Sequence, residues 1–237
     1  MKKNISIDER IIFALDFSEK KEATTWINRL KGRISFFKVG LELFLATGWD
    51  IVNFISENNC KVMLDLKFFD IPQTVKKAVF QVSKRDVFFT TIHGNDAIIQ
   101  AANEEKGKGL KILAVTVLTS FDNSDMKALR LNCDVEDMVF ARAKKAIELG
   151  CDGVVASAKE VKQLRQQLGD DFYIVTPGIR PASCEKNDQK RIATPYEAIR
   201  AGADYLVIGR PISQAPDPED MVDNIKKEIE RALNDLN

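Results

Sequence analysis

The stretch Lys145-Ala146-Ile147-Glu148-Leu149-Gly150-Cys151-Asp152-Gly153-Val154-Val155 returns in outline as Glu197-Ala198-Ile199-Arg200-Ala201-Gly202-Ala203-Asp204-Tyr205-Leu206-Val207. Each reads as the end of a helix, a glycine just past it and a short apolar strand, so the chain repeats a helix–turn–strand unit. Similar Val-, Ile- and Phe-rich runs recur along the chain: Ile11–Leu15, Phe36–Val39, Val62–Leu66, Val87–Ile92, Ile112–Leu118, Gly153–Ala156, Phe172–Val175 and Tyr205–Ile208. They lack polar alternation, which predicts burial on both faces, as in a parallel sheet. Amphipathic segments lie between them, with helix starts at Thr194-Pro195 and Asp217-Pro218 and stops at Gly150, Gly169 and Gly202. About eight such units in a chain of this length favour an α/β fold of the closed (β/α)8 TIM-barrel type over an open doubly wound sheet. No Gly/Ser/Pro linker or single-sign charge block divides the chain, so residues 1–237 read as one domain.

The 35 Lys and Arg residues balance 35 Asp and Glu residues, and there is a single His. That balance argues against a nucleic-acid or polybasic membrane partner, both of which need a surplus of cations. An apolar content of 45% against 30% charged excludes a disordered chain. The apolar run Ile11–Leu15 is stopped at once by Asp16, too short for a signal peptide or a membrane span. Cys60, Cys133, Cys151 and Cys184 lie far apart in no metal-ligand spacing, and the simplest expectation is a reduced cytoplasmic protein.

A barrel of this type builds its active site at the carboxyl ends of its strands. The third predicted strand ends Met63-Leu64-Asp65-Leu66-Lys67-Phe68-Phe69-Asp70-Ile71-Pro72. Residues two apart share a face of a strand, so Asp65 and Lys67 should both point into the barrel mouth. Lys38 closes the second strand and Asp16 the first. Carboxylates and ammonium groups therefore converge, and burying them together requires alternating signs. Asp70 also reads as a cap for the helix beginning near Pro72, and Lys67 as a solvated turn residue. The seventh and eighth strands end Thr176-Pro177-Gly178-Ile179-Arg180 and Ile208-Gly209-Arg210-Pro211. Loops in these positions frequently bind phosphate, and each carries a Gly for close approach and an Arg able to grip phosphate oxygens. The polar, weakly patterned stretch from Ile179 to Arg191 reads as a lid, with Gln189 reaching inward.

Taken together, Asp65-x-Lys67-x-x-Asp70-Ile71-Pro72, Lys38, Thr119-Ser120, Pro177-Gly178-Ile179-Arg180 and Ile208-Gly209-Arg210-Pro211 resemble the orotidine 5′-phosphate decarboxylase family of the bacterial type. The resemblance runs from Ile11 to about Ala232. The D-x-K-x-x-D element alone is shared by sugar-phosphate enzymes of the same superfamily, and His93-Gly94-Asn95-Asp96 departs from the smaller residues that bacterial relatives often carry there. The resemblance implies loss of CO₂ from C6 of orotidine monophosphate to give uridine monophosphate, a step of de novo pyrimidine biosynthesis, without cofactor or metal.

It also implies the roles. Lys67 stabilises the carbanion and protonates C6, and Asp65 lies by the substrate carboxylate, where it either strains that group or holds Lys67 in place. Lys38 orients Asp65 and contacts the ribose, and Asp16 binds a ribose hydroxyl. Thr119, Ser120 and Pro177 contact the substrate, Ser120 at the pyrimidine, while Arg180, Gln189, Gly209 and Arg210 occupy phosphate-end and lid positions. Asp70, Ile71 and Thr74 belong to the substrate site, Asp70 and Thr74 reaching across a homodimer into the partner subunit's site.

His93 at a strand end reads as a hydrogen-bonded structural residue rather than a general base, and Phe36-Phe37, Phe68-Phe69 and Phe88-Phe89 as packing rather than base-stacking platforms. Two other functions compete. A metal-dependent sugar-phosphate lyase or epimerase would need oxygen ligands, with added His ligands for the epimerase, and one His cannot supply such a set. A non-catalytic phosphate-binding barrel would tolerate loss of Lys67.

Overall fold

Eight parallel strands close into a barrel in chain order: β1 (Ile11–Leu15), β2 (Phe36–Gly40), β3 (Lys61–Phe68), β4 (Phe89–Ile92), β5 (Lys111–Val115), β6 (Gly153–Val155), β7 (Tyr173–Thr176) and β8 (Tyr205–Ile208). Helices fill the connections on the outside, so the protein is a (β/α)8 TIM barrel. This is a computed structural model, and it describes residues 3–181 and 193–236. The ring closes where β1 pairs with β8 through Ile11↔Leu206, Ile12↔Val207 and Phe13↔Ile208. Every residue of β1 and β8 is buried, as expected of strands covered on both faces.

Side-chain parity divides the core into two. Ile12, Ala14, Phe36, Met63, Phe89, Leu113, Val175, Tyr205 and Val207 fill the barrel interior. Their neighbours along the strands, such as Phe13, Phe37, Leu64, Ile112 and Ile174, face outward and pack under the helices. The interior is sealed at the amino ends of the strands by rings in contact. Phe36 stacks on Phe89 at 5.6 Å between centroids, and Tyr205 meets Phe89 edge-on at 5.2 Å. Lys61 lies over the Phe88 ring at 4.5 Å and Lys3 over the Tyr173 ring at 5.1 Å.

The two echoing units have a common geometry. Gly150 (φ +90°) and Gly202 (φ +110°) turn the chain through the left-handed region that an L side chain rarely adopts. The aspartate two residues later then accepts the N–H of the second residue of the neighbouring strand. Asp152 Oδ2 takes the Ile112 N–H at 2.8 Å, and Asp204 Oδ2 takes the Ile174 N–H at 2.8 Å. The predicted helix starts are also present: Thr194 and Glu197 form a reciprocal capping box, and Asp217 accepts from Asp220 N at 3.0 Å.

Two apolar runs exceed their strands by two residues or more. The run through Leu118 continues past the end of β5 because Val115, Val117 and Leu118 line a cavity at the barrel mouth. Val87 and Phe88 precede β4, with the Phe88 ring edge-on to Phe36 at 5.6 Å. Among the described residues, no helix is long and apolar enough to cross a membrane.

Candidate active site

The interior changes character one step further along the strands. Lys38 stands two residues beyond Phe36, Asp65 two beyond Met63 and Thr91 two beyond Phe89, so polar groups replace apolar ones on the same inward-facing rows. Lys38 Nζ donates to Asp16 Oδ1 at 2.9 Å and lies 3.8 Å from Asp65 Oδ2. Lys67 Nζ donates to the same Asp65 oxygen at 2.9 Å, while Thr91 Oγ1 donates to Asp65 Oδ1 at 2.9 Å. Charges therefore alternate along Asp16, Lys38, Asp65 and Lys67. Burial pushes the Asp65 carboxyl up, but Lys38, Lys67 and the hydrogen bonds from Lys67 and Thr91 outweigh it and hold the group below the ordinary carboxylate range. Gly40 leaves room for this arrangement, since a Cβ there would stand 3.1 Å from Lys38 Nζ.

Asp65 and Lys67 are adjacent, as strand alternation predicts, yet the strand is not regular between them. Leu64 pairs with Thr90 and Phe68 with Ile92, so the register shifts, and Lys67 sits in the left-handed region at φ +49°. The bend leaves the Lys67 side chain 34% exposed while Asp65 remains 12% exposed. The ammonium is thus open to a cavity whose carboxylate partner is buried.

That cavity, of about 200 Å³, opens at the carboxyl end of the barrel. Asp16, Lys38, Asp65 and Lys67 form one side of its lining, and Thr119, Pro177, Gly178, Arg180, Gly209 and Arg210 contribute the loops of the other. Ala14, Met63, Val115, Val155 and Val207 supply its apolar surface. Arg180 is buried, its Nη1 donating to Ile179 O at 2.9 Å and its N–H to Ala193 O at 2.9 Å. Arg210 opens the short helix Arg210–Ser213 directly after Gly209. One cavity therefore has an ammonium–carboxylate cluster and two guanidinium groups, an arrangement suited to a substrate with a reacting centre and a remote anionic group.

The other expected residues lie elsewhere. Asp70, Ile71 and Thr74 are exposed and do not line this cavity. Asp70 does not cap the helix Pro72–Ser83: its Oδ1 accepts from Ile71 N at 2.7 Å, and Ile71 is the residue at the cap position. Phe69 and Ile71, on either side of Asp70, are 70% and 68% exposed. Ser120 is exposed and outside the lining, unlike Thr119, and Gln189, with most of the expected lid, lies outside the described residues. His93 does not line the cavity either. Burial, together with the nearby Arg142 and Lys67 charges, lowers its pKa from 6.5, and its ring lies 5.6 Å from that of Phe69.

Of the aromatic pairs, Phe36 and Phe89 fill the interior, Phe37 packs edge-on to Phe13 on the outer face, and Phe69 is exposed. Thr91 is absent from the sequence reading although the signal for it exists: it is a polar residue two positions beyond an inward Phe, the parity that marks Lys38 after Phe36. Among the described residues, no group of three His, Cys, Asp or Glu side chains is placed to hold a metal ion.

Comparison with known proteins agrees with this architecture. The family model described as "Orotidine 5'-phosphate decarboxylase / HUMPS family" matches residues 9–225. A protein named orotidine 5′-phosphate decarboxylase from Methylococcus capsulatus is 47% identical over 229 residues, covering 96% of this chain and 94% of that one. A protein of the same name from Nitrobacter winogradskyi is 45% identical over 226 residues, covering 95% and 94%. The crystal structure of orotidine 5′-phosphate decarboxylase from Lactobacillus acidophilus superposes with a TM-score of 0.83 at 35% identity, covering 93% of this chain and 99% of that one. The inward-facing Lys38, Asp65 and Lys67 thus stand in a barrel whose sequence matches over nearly its full length, and the chain belongs to the orotidine 5′-phosphate decarboxylase/HUMPS family of enzymes.

Proposed function

We propose that this enzyme converts orotidine 5′-monophosphate to uridine 5′-monophosphate and CO₂, the whole chain acting as one catalytic unit in pyrimidine biosynthesis. The observation that carries the reading is the pairing of the Lys38–Asp65–Lys67 cluster with Arg180 and Arg210 in one cavity. Breaking the bond from C6 to the carboxylate leaves the electron pair on C6, in the plane of the ring and with no neighbouring group to delocalise it. Fixed positive charge is the remaining way to stabilise it, and preorganised groups in a partly dehydrated site act strongly because they need no reorientation. Lys67 supplies that charge, then transfers a proton from Nζ to C6 and is reprotonated from solvent.

Asp65 holds the Lys67 ammonium at 2.9 Å and stays ionised because cations flank it. Lys38 bridges Asp65 and Asp16, orienting Asp65 beside the substrate carboxylate and itself contacting the ribose, whose hydroxyl Asp16 binds. Thr119 and Pro177 line the path to the base, and Arg180, Gly209 and Arg210 take the phosphate, with Gln189 joining them. Binding energy gathered at the phosphate then helps to hold the reacting ring against Lys67.

Asp70 and Thr74 complete a second subunit's site in a homodimer, with Ile71 contacting the substrate and Ser120 near the base. The exposure of Phe69 and Ile71 around Asp70 supports burial of this loop against another copy.

The experiment is to add orotidine 5′-monophosphate to the purified protein in EDTA and follow the orotate absorbance. Loss of the absorbance with stoichiometric CO₂ is expected. No loss from protein shown to be folded by circular dichroism overturns the reading, and activity abolished by EDTA points instead to a metal-dependent sugar-phosphate reaction. Mixing inactive Lys67→Ala and Asp70→Ala subunits tests the dimer, because mixed dimers regain one intact site if Asp70 acts across the interface.

A further inference from the structure

Thr91 is fully buried, lies behind Asp65 rather than in the cavity, and touches both members of the central pair. We propose that Thr91 is a positioning residue for the reaction: its hydroxyl fixes the Asp65 carboxylate and the backbone bend that carries the Lys67 ammonium. The inference rests on the roles of Asp65 and Lys67 given above and adds to them.

A hydroxyl can donate once while accepting, and Thr91 does both. Its Oγ1 donates to Asp65 Oδ1 at 2.9 Å, which leaves Oδ2 for Lys67 at 2.9 Å and Lys38 at 3.8 Å. The same oxygen accepts the Lys67 backbone N–H at 2.9 Å. That N–H falls inside the register shift between the Leu64↔Thr90 and Phe68↔Ile92 pairs, and Thr91 Oγ1 takes the place of a strand acceptor. A non-glycine residue at φ +49° is disfavoured, and such a bend persists where its surroundings fix it. Losing the hydroxyl would free one carboxylate oxygen and one buried N–H together, so the Asp65–Lys67 geometry relaxes although Thr91 itself does not line the cavity.

Thr90 provides an internal control. It is equally buried and adjacent in sequence, but its Oγ1 donates outward to Leu64 O at 3.1 Å. Thr90→Val thus removes a buried hydrogen bond of the same strand pair while leaving the Asp65–Lys67 pair intact.

The test compares Thr91→Val, Thr91→Ser and Thr90→Val by steady-state kinetics and thermal unfolding. The unsubstituted enzyme and Lys67→Ala are assayed first: if the former is inactive, or the latter active, the underlying reading fails independently of Thr91. Displacing a reacting group by about 1 Å costs on the order of 10²-fold, so Thr91→Val is expected to lower kcat by that order with KM within about threefold. Thr91→Ser, which keeps the hydroxyl, is expected to recover most of kcat, and Thr90→Val to lose stability but not turnover. The proposal is overturned by wild-type kcat in Thr91→Val, by a Thr91→Ser variant as slow as Thr91→Val, or by an equal kcat loss in Thr90→Val. Should Thr91→Val not fold, Thr91→Cys replaces it, keeping the volume with a weak hydrogen-bonding group, and wild-type kcat there overturns the proposal equally.

Discussion

The two ends of the barrel use the same strands and the same inward rows for opposite purposes. At the amino ends, Phe36, Phe89, Tyr173 and Tyr205 fill the cross-section with rings, and the nearby lysines sit outside on ring faces or acidic partners, such as Lys61 on Glu9 at 2.8 Å. At the carboxyl ends, two residues further on, the rows carry Lys38 and Asp65, which line an open cavity, and Thr91, which backs Asp65. The lower end is satisfied by its own contacts. In the upper end, cationic groups face the cavity beside a buried carboxylate, an arrangement that fits an anionic substrate. A charge cluster in a barrel mouth is therefore tolerable because a packed, ring-sealed layer beneath it supplies the stability that the cluster does not.

Breaking the upper end should remove function while leaving the fold. The largest effect is expected from Lys67→Ala: a fall in kcat of about 10⁴-fold or more, since the residue combines charge stabilisation with proton transfer, measured by loss of orotate absorbance with the circular dichroism spectrum retained. Breaking the lower end should do the reverse. Tyr205→Ala is expected to cost about 3–5 kcal/mol of stability by urea unfolding while kcat/KM, assayed well below the transition, stays near the starting value.

Smaller substitutions sharpen the contrast. Arg210→Ala should weaken orotidine 5′-monophosphate by about 1.5–3 kcal/mol, the range for a charged hydrogen bond, and leave orotidine lacking the phosphate nearly unaffected. Equal effects on both compounds would place Arg210 away from the phosphate. The smallest effect concerns His93, whose pKa in the fold is lowered from 6.5, first by burial and then by Arg142 and Lys67. Because the unfolded chain binds the proton more tightly, His93 stabilises the fold fully above pH 6.5 and progressively less as the pH falls from there toward the folded value. Urea midpoints at pH 7.5 and about 5.5 should therefore move less in His93→Gln than in the unsubstituted protein.

Much of this contrast is legible in the sequence. The unbroken apolar runs and the Gly-x-Asp echo lead to a closed parallel barrel, and the charged residues toward the carboxyl ends of the second and third strands mark its working end. What escaped is local and side-chain dependent. Strand parity correctly brings Asp65 and Lys67 together, but the left-handed bend at Lys67 and the register shift beside it depend on Thr91 from the next strand. A run of Thr90 and Thr91 inside an apolar strand reads as ordinary β-propensity, and the two residues separate into different roles only when inward and outward faces are assigned. Asp70 shows the other gap: the sequence admits a helix cap, whereas the carboxylate turns back to Ile71 N and remains exposed.

The aspartate of the second echo unit also bears on how the molecule comes apart. Asp204 binds Lys3 at 2.9 Å and Arg165 at 2.7 Å and takes the Ile174 N–H, and its own carbonyl accepts from Arg10 Nη1 at 3.1 Å. Lys3 and Arg10 precede the first strand, so this residue ties the two distant ends of the chain across the β1–β8 seam. Contacts so far apart in sequence carry the largest loop-closure entropy and are the natural candidates to form late. Asp204 therefore works as a latch on the seam: its loss should mainly accelerate opening and leave the rate of folding nearly unchanged, a property of kinetic endurance rather than of catalysis.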